Sequence, residues 1–172
     1  AEHMIYVRPS VTLQSTLDNQ FNKNYAEDFE SENSGWINDI NENLPQSSWE
    51  LGLPDGEVIN SAASGNSAWF TDLPEEPENE KSWVSSPCFD FSSLKKPMIK
   101  LNIWSHPNSD RDGAVLQYKD NDEWTNIGTI NSGVNWYNTA GILGNPGNQE
   151  FRQEGWSGVK YDSWTEARHK LD

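Results

Sequence analysis

"MIKLNIWS", residues 98–105, is the stretch that decides the fold class of this chain. Apolar Ile99, Leu101 and Ile103 alternate there with a more polar set that includes Lys100 and Asn102. A period of two with one apolar face is typical of a strand in an antiparallel sheet that another layer half covers. The segment therefore predicts a β-strand and, around it, an all-β layered architecture.

A sequence pattern typical of short strands extends along most of the chain. Short apolar runs are separated by Gly, Pro, Asn, Asp and Ser, and no window shows sustained helical periodicity. "KDNDEW" (119–124) has the composition of a hairpin turn. The predicted strands are 25–30, 48–52, 56–60, 67–72, 82–89, 98–105, 113–119, 123–128 and 163–171.

Composition and charge narrow the function classes. Only 34% of the 172 residues are hydrophobic, so nine tryptophans must supply much of a thin, sandwich-like core. The net charge of −15 argues against nucleic acid and anionic membrane surfaces as partners. It fits glycans, cationic surfaces or Ca²⁺, and equally a plain role in solubility. The sequence contains no run of about 18 apolar residues, so no segment is predicted to span a membrane.

Four blocks together suggest a family. They are "FESENSGW" (29–36), "SWELGLPDGEVINSAASGNSAWFTDL" (48–73), "SWVSSPCFDFSSL" (82–94) and "DGAVLQYKDNDEWTNIG" (112–128). In this order they resemble the MAM-like jelly-roll modules of secreted and cell-surface multidomain proteins of Bacteroidetes, and they are similar to cleaved-adhesin domains. The resemblance covers roughly residues 26–172.

The resemblance implies a fold and a cellular setting. The fold is a jelly-roll β-sandwich of two antiparallel sheets, with residues 25–172 as the module and residues 1–24 as a cloning remnant plus a linker or lead-in strand. The setting is a secreted or cell-surface protein. In the family, two more strands follow the block like "SWTEARHKLD" (163–172). We therefore expect the sandwich to lack its last strands in this chain and a second polypeptide to complete it.

The resemblance also implies a role, which analogy of fold alone does not fix. The first interpretation is a non-catalytic binding or adhesion module that recognises a glycan or a surface protein and carries a structural Ca²⁺. The alternative is a structural accessory domain that stabilises or positions a neighbouring protease or glycosidase domain.

No catalytic constellation is visible in the sequence. The histidines are His3, His106 and His169, and none stands in a motif that pairs a base with a nucleophile. One cysteine and no Cys/His cluster give no support to a zinc site, and phosphate-loop and dinucleotide motifs are missing from the sequence. We therefore predict that the chain is not an enzyme.

Two segments could supply oxygen ligands to calcium. "EDFES" places Asp28 and Glu30 on one side of an extended chain, and "NSDRDG" places Asn108, Asp110 and Asp112 at alternate positions of a loop. The second segment is no EF-hand, because its distal glutamate is missing. The alternative is that its aspartates only form turns.

A group of aromatic and amide side chains is the predicted ligand site. Trp136 and Tyr137 are adjacent in a stretch rich in Asn, Ser and Gly, and Trp156 lies in "EGWSG". Indole faces stack on sugar rings, while amides such as those of Asn135 and Asn138 bond hydroxyls. The alternative is that the rings cover the apolar end of the sandwich.

Cys88 is the single cysteine, so it cannot form an intrachain disulfide. Its apolar neighbours in "SPCFDFSSL" (86–94) predict a small buried hydrophobe that resists thiol reagents.

Overall fold

The regular structure of the chain is β-structure. A computed structural model describes residues 8–13, 25–31, 33–40, 47–71, 80–159 and 162–171. These residues contain ten short strands and one 3-10 turn, Pro146–Asn148, and no α-helix is found among them. The all-β prediction is confirmed. No helix in these ranges has the length and apolar character needed to cross a bilayer.

The strands pair two by two. They are β1 (Ser10–Thr12), β2 (Ile37–Ile40), β3 (Trp49–Gly52), β4 (Ala68–Thr71), β5 (Ser82–Ser85), β6 (Cys88–Asp90), β7 (Met98–Ile103), β8 (Gln117–Asp120), β9 (Glu123–Asn126) and β10 (Thr165–Lys170). The pairs β2–β5, β3–β4, β7–β10 and β8–β9 are antiparallel, and β1–β6 is parallel. Because these are separate two-stranded sheets, the jelly-roll topology stays a prediction.

The chain divides into two compact units, a division that the sequence did not predict. Unit 1 comprises Ala1–Gly56 and Ser64–Lys95, and unit 2 comprises Glu57–Ala63 and Lys96–Asp172. Unit 1 has 4 basic and 16 acidic residues, a net charge of −12, whereas unit 2 has 8 and 11, a net charge of −3. Most of the negative charge of the chain therefore belongs to unit 1.

Two predicted strands of unit 1 differ from the structure for local reasons. Residues 25–30 are not a strand, because the Glu27 carboxylate accepts a hydrogen bond from the Phe29 amide at 2.8 Å and Phe29 adopts a positive φ of 63°. Segment 82–89 is interrupted at Pro87, which lacks an amide donor, so it forms β5 and β6 instead of one strand.

The hairpin turn predicted in unit 2 is confirmed, whereas two other predicted strands differ from the structure. The turn at 119–124 is confirmed: Asn121 and Asp122 have φ of 46° and 71° between β8 and β9, as a tight hairpin requires. Of the segment 113–119, however, only the end enters β8. Ala114 instead bridges Trp156, and the Leu116 amide donates to the Tyr137 hydroxyl. Residues 56–60 form no strand either.

The core of unit 2 is built from one ribbon and several loops. The β7–β10 ribbon contributes Ala167, which is fully buried, and the partly buried Ile99, Leu101 and Ile103. These residues alternate with exposed ones along both strands, which confirms the period-two pattern. The rest of the core comes from aromatic residues of the loops before β10.

Cys88 is exposed, so the prediction of a buried thiol was wrong. The interruption at Pro87 starts a new strand, β6, in which Phe89 is partly buried while Cys88 and Asp90 lie outside. The aromatic neighbour, and not the thiol, occupies the inward position.

We expect the Cys88 thiol to react fully with Ellman's reagent in the folded chain at neutral pH, because it is exposed. The urea-unfolded chain gives the stoichiometric reference. Cys88→Ser should change stability by less than about 0.5 kcal/mol, as is usual at surface positions. A thiol that reacts only after unfolding would contradict the structure.

Candidate functional site

The three aromatic residues of the predicted ligand site contact one another, but they are buried in the interior of unit 2. Trp136, Tyr137 and Trp156 expose only 1%, 0% and 5% of their surface. Their rings make edge-to-face contacts, with centroids 5.1 Å apart for Trp136 and Trp156 and 4.7 Å apart for Tyr137 and Trp156. Rings at this depth have no face free for a sugar.

The polar ends of these rings are bonded to loop backbone. The Trp136 indole donates to the Ile127 carbonyl at 2.8 Å, and the Trp156 indole donates to the Asn135 carbonyl at 3.1 Å. The Tyr137 hydroxyl accepts from the Leu116 amide at 3.0 Å and donates to the Leu116 carbonyl at 2.9 Å. Burial raises the pKa of the Tyr137 phenol well above its usual value.

The two amides predicted to bind sugar hydroxyls also bond the protein itself. Asn135 donates to the Glu166 carbonyl at 2.9 Å. Asn138 donates to the Ser157 carbonyl at 2.7 Å and accepts from the Ser157 amide at 3.0 Å. The three aromatic residues thus belong to the core cluster of unit 2, and the two partly buried amides bond its backbone. Their burial corrects the prediction of a sugar-binding surface and agrees better with the alternative, in which the rings cover apolar structure.

The first predicted calcium segment is engaged with backbone amides in unit 1. One oxygen of Glu30 accepts hydrogen bonds from Asn66 and Ser67 at 2.8 and 2.7 Å. Asp28 accepts a hydrogen bond from the Glu30 amide at 3.2 Å. Glu30 therefore closes a loop through one carboxylate oxygen, and calcium binding at this segment stays a prediction.

The second predicted calcium segment is a turn in unit 2. The Asn108 side-chain amide donates to the Asp112 carboxylate at 3.3 Å. Asp110 has a φ of 63°, and its amide donates to the Ser157 hydroxyl at 3.2 Å. Among the described residues, no group of three or more His, Cys, Asp or Glu side chains could hold a metal. We derive no chemistry through calcium.

One serine–histidine contact was missed in the sequence. Ser132 Oγ lies 2.9 Å from His169 Nε2, although the two residues are 37 positions apart. The other ring nitrogen faces the Lys170 carbonyl, not a carboxylate. Ser132 also closes a turn with Thr129, accepting from its amide at 2.8 Å and donating to its carbonyl at 2.8 Å. These bonds restrain the hydroxyl as part of a turn.

The imidazole of His169 lies against the core. Its ring centroid is 4.9 Å from that of Trp136. On another side, a methyl group at Gly128 would come within 2.4 Å of His169 Nε2, so the Gly128 backbone lies against that nitrogen. The imidazole therefore packs between Trp136 and the Gly128 backbone, which fits a structural role.

The solvent side of the β7–β10 ribbon carries a cluster of cations, which we call the basic face: Lys100, Arg168 and Lys170, with Glu166 among them. Glu166 forms ion pairs with Lys100 and, at 3.2 Å, with Arg168. The register places Arg168 opposite Lys100, and Lys170 opposite Met98. Three cations against one carboxylate make this face locally positive in a chain of net charge −15.

An open pocket of about 450 Å³ adjoins the basic face. Its apolar surface comes from Met98 and Val134, which are 58% and 47% exposed. The other lining residues are Gly133, which has no side chain, and four residues with polar side chains: Ser132, Arg168, His169 and Lys170. The pocket can therefore contact an apolar surface while it binds an anionic group.

Two backbone features create the pocket. Val134 and Arg168 exchange both backbone hydrogen bonds at 2.9 Å, which holds the 132–134 turn beside β10. Gly133 allows this approach, because a methyl group there would come within 2.2 Å of the Arg168 carbonyl oxygen. In the sequence, the alternation in "TEARHK" (165–170) could have indicated the basic face, but nothing indicated the contact with Val134.

Comparison with known proteins finds no matching family model, no matching curated protein and no matching solved structure. The resemblance to MAM-like modules therefore stays a prediction.

We expect Tyr137→Phe to destabilise the chain by about 1–3 kcal/mol, because the Leu116 amide and carbonyl would lose their buried partner. For a chain of this size, that loss lowers the melting temperature by roughly 2–4 °C per kcal/mol. Tyr118→Phe is the matched control, since Tyr118 is 49% exposed. Equal effects of the two substitutions on thermal unfolding would show that Tyr137 does not hold the core.

Proposed function

We propose that this chain is a non-catalytic binding module that recognises an acidic glycan at the pocket of the basic face. The single observation that carries the proposal is the composition of this pocket, in which two exposed apolar side chains lie beside Arg168 and Lys170. A jelly-roll sandwich and a secreted or cell-surface setting belong to the same proposal and rest on the sequence resemblance.

The chemistry of the pocket favours a sugar that carries a carboxylate or sulfate. Met98 and Val134 can contact the C–H face of a pyranose ring. Arg168 can bind a carboxylate or sulfate with two parallel N–H groups, and Lys170 adds a mobile positive charge. These are the contacts that set orientation and charge preference.

Unit 2, to which the pocket belongs, carries a net charge of only −3. Exposed charges separated by more than about 8 Å are largely screened at physiological ionic strength. The excess of acidic residues lies mainly in unit 1, whereas the pocket belongs to unit 2. Within unit 2, the charged side chains at or beside the pocket are Arg168, Lys170 and their neighbour Glu166.

The same surroundings favour binding over catalysis. The serine–histidine contact beside the pocket has the Lys170 carbonyl, not a carboxylate, at its second ring nitrogen, and Ser132 is held in a turn by Thr129. A hydrolytic serine needs a free hydroxyl and an oriented base.

Calcium stays a prediction of the sequence resemblance. Titration of the chelated chain with Ca²⁺ checks it, because an ion that binds only the folded state raises the melting temperature with concentration. An unchanged melting temperature and no heat of binding would contradict it.

The test of the function is calorimetric titration with an oligogalacturonate and with its methyl ester. The ester keeps the sugar rings and removes the charge, so we expect at least tenfold weaker binding of the ester. Arg168→Gln/Lys170→Gln should weaken oligogalacturonate binding by a similar factor without lowering the melting temperature, because both side chains are exposed at the surface.

Lys119→Gln is the matched control, because Lys119 is an exposed cation that pairs with Asp122 outside the pocket. Equal binding of the acid and its ester, or an equal loss in the Lys119 variant, would contradict the proposed site. Failure of both sugars to bind would overturn the glycan proposal and favour the accessory-domain interpretation.

A further inference from the structure

The two outer edges of the β7–β10 ribbon differ in whether their backbone groups have hydrogen-bond partners. Along β10, the outer backbone groups have partners: Arg168 pairs with Val134, and the Glu166 carbonyl accepts from the Asn135 side chain at 2.9 Å. Along β7, no other strand pairs with the outer edge in the part of the chain that the structure describes. Among the described residues, the ribbon therefore has one covered edge and one open edge.

The register shows which groups form the open edge. Because Arg168 directs its N–H and C=O toward Val134, its pair with Lys100 is a non-hydrogen-bonded pair of the ribbon. The N–H and C=O of Lys100 then point away from β10, and alternation gives the same direction to Met98 and Asn102. The open edge thus offers three donors and three acceptors in strand geometry.

The inner side of this edge is incompletely covered. Ile99, Leu101 and Ile103 pack against the core cluster of unit 2 but remain only partly buried. A strand added along β7 would place every second side chain next to these residues and would remove more of their apolar surface from water. Apolar side chains are therefore favoured at alternate positions of an added strand.

The outer side of the edge is cationic. The ribbon carries Lys100, Arg168 and Lys170 on this side against the single carboxylate of Glu166, which pairs with Lys100 and Arg168. The Lys100 side chain is still 53% exposed. An added strand would place its other side chains beside Lys100, where a carboxylate is attracted and an ammonium group is repelled. Acidic side chains are therefore favoured at the remaining positions.

We propose that the outer edge of β7 accepts an extended segment of a partner polypeptide in which acidic and apolar residues alternate. The main-chain groups of Met98, Lys100 and Asn102 supply the hydrogen bonds, and the two faces of the ribbon select the side chains. This inference goes beyond the glycan pocket, which needs the side chains of Arg168 and Lys170 but none of these backbone groups.

The competing role of Lys100 is protection of the edge, because a lysine on an exposed edge strand discourages pairing with other chains. A purely protective lysine discourages every added strand. A selective one accepts an acidic strand and rejects a basic strand, so the charge of the partner distinguishes the two roles.

The experiment titrates the full chain with four synthetic peptides, the last two being versions of a third design, and follows binding by fluorescence anisotropy. The first alternates Glu and Val over about seven residues, the second alternates Lys and Val, and the third is the first peptide with N-methyl groups on alternate amides. Two versions of the third peptide methylate either the odd or the even amides. We expect the Glu/Val peptide to bind at least tenfold more tightly than the Lys/Val peptide.

The methylated pair tests main-chain pairing. A strand added at one edge directs alternate amides toward that edge, so one methylated version should lose binding and the other should keep it. Equal binding of both versions would overturn strand addition. Equal binding of the Glu/Val and Lys/Val peptides would overturn the charge selection.

Hydrogen exchange locates the site on the chain. In the free protein, the amides of Lys100 and Asn102 should exchange quickly and those of Leu101 and Ile103 slowly, since only the latter point toward β10. The Glu/Val peptide should protect Lys100 and Asn102 selectively. Slow exchange of Lys100 and Asn102 in the free monomer, or in a dimer found by sedimentation, would overturn the proposal, because the edge would already be occupied.

Matched substitutions separate this edge from the glycan pocket. Lys100→Glu should reverse the preference, so that the Lys/Val peptide binds more tightly than the Glu/Val peptide, while Lys119→Glu should leave the preference unchanged. Arg168→Gln/Lys170→Gln, which tests the pocket, should leave the response to N-methylation in place. A Lys100→Glu variant with the original preference would refute selection by this face.

Discussion

The structure of unit 2 depends on the hydrogen bonds that satisfy its buried aromatic residues. An apolar core of aliphatic side chains needs no partners, but Trp136, Tyr137 and Trp156 each bring a polar group into the interior. Each group is bonded to backbone of a loop, most clearly where the Tyr137 hydroxyl bonds both main-chain groups of Leu116. The loops are therefore part of the core and not merely connections between strands.

The same constraint explains how so polar a sequence folds. With only 34% hydrophobic residues, the chain covers its few strands by burying large rings and by pairing side-chain amides with backbone, as Asn138 does with Ser157. The loops held in this way place Val134 against β10 and so form the pocket beside the basic face. Core and candidate site thus share one scaffold.

The sequence predicted what depends on local pattern. Alternation predicted β7 and its inner face, and Asn121 and Asp122 predicted the hairpin. Segment 163–171, which contains β10, was predicted as a strand without an assigned inner face. The sequence did not predict the burial of side chains whose hydrogen-bond partners lie far away in the chain. An aromatic residue in a polar loop has the same local appearance whether it lies at the surface or inside, and Trp136 and Tyr137 are inside because Ile127 and Leu116 accept their polar ends. Cys88 was misplaced for a similar reason, since its orientation depends on the interruption at Pro87.

The aromatic hydrogen bonds also have a kinetic consequence. The Tyr137 hydroxyl reaches across 21 residues to Leu116, and the Asn135 amide reaches across 31 residues to Glu166. Such contacts require loops to close before their bonds form, and proteins dominated by non-local contacts fold in milliseconds to seconds, not microseconds. We therefore expect the β8–β9 hairpin of unit 2 to form early and the aromatic core to form later, once distant parts of the chain have come together.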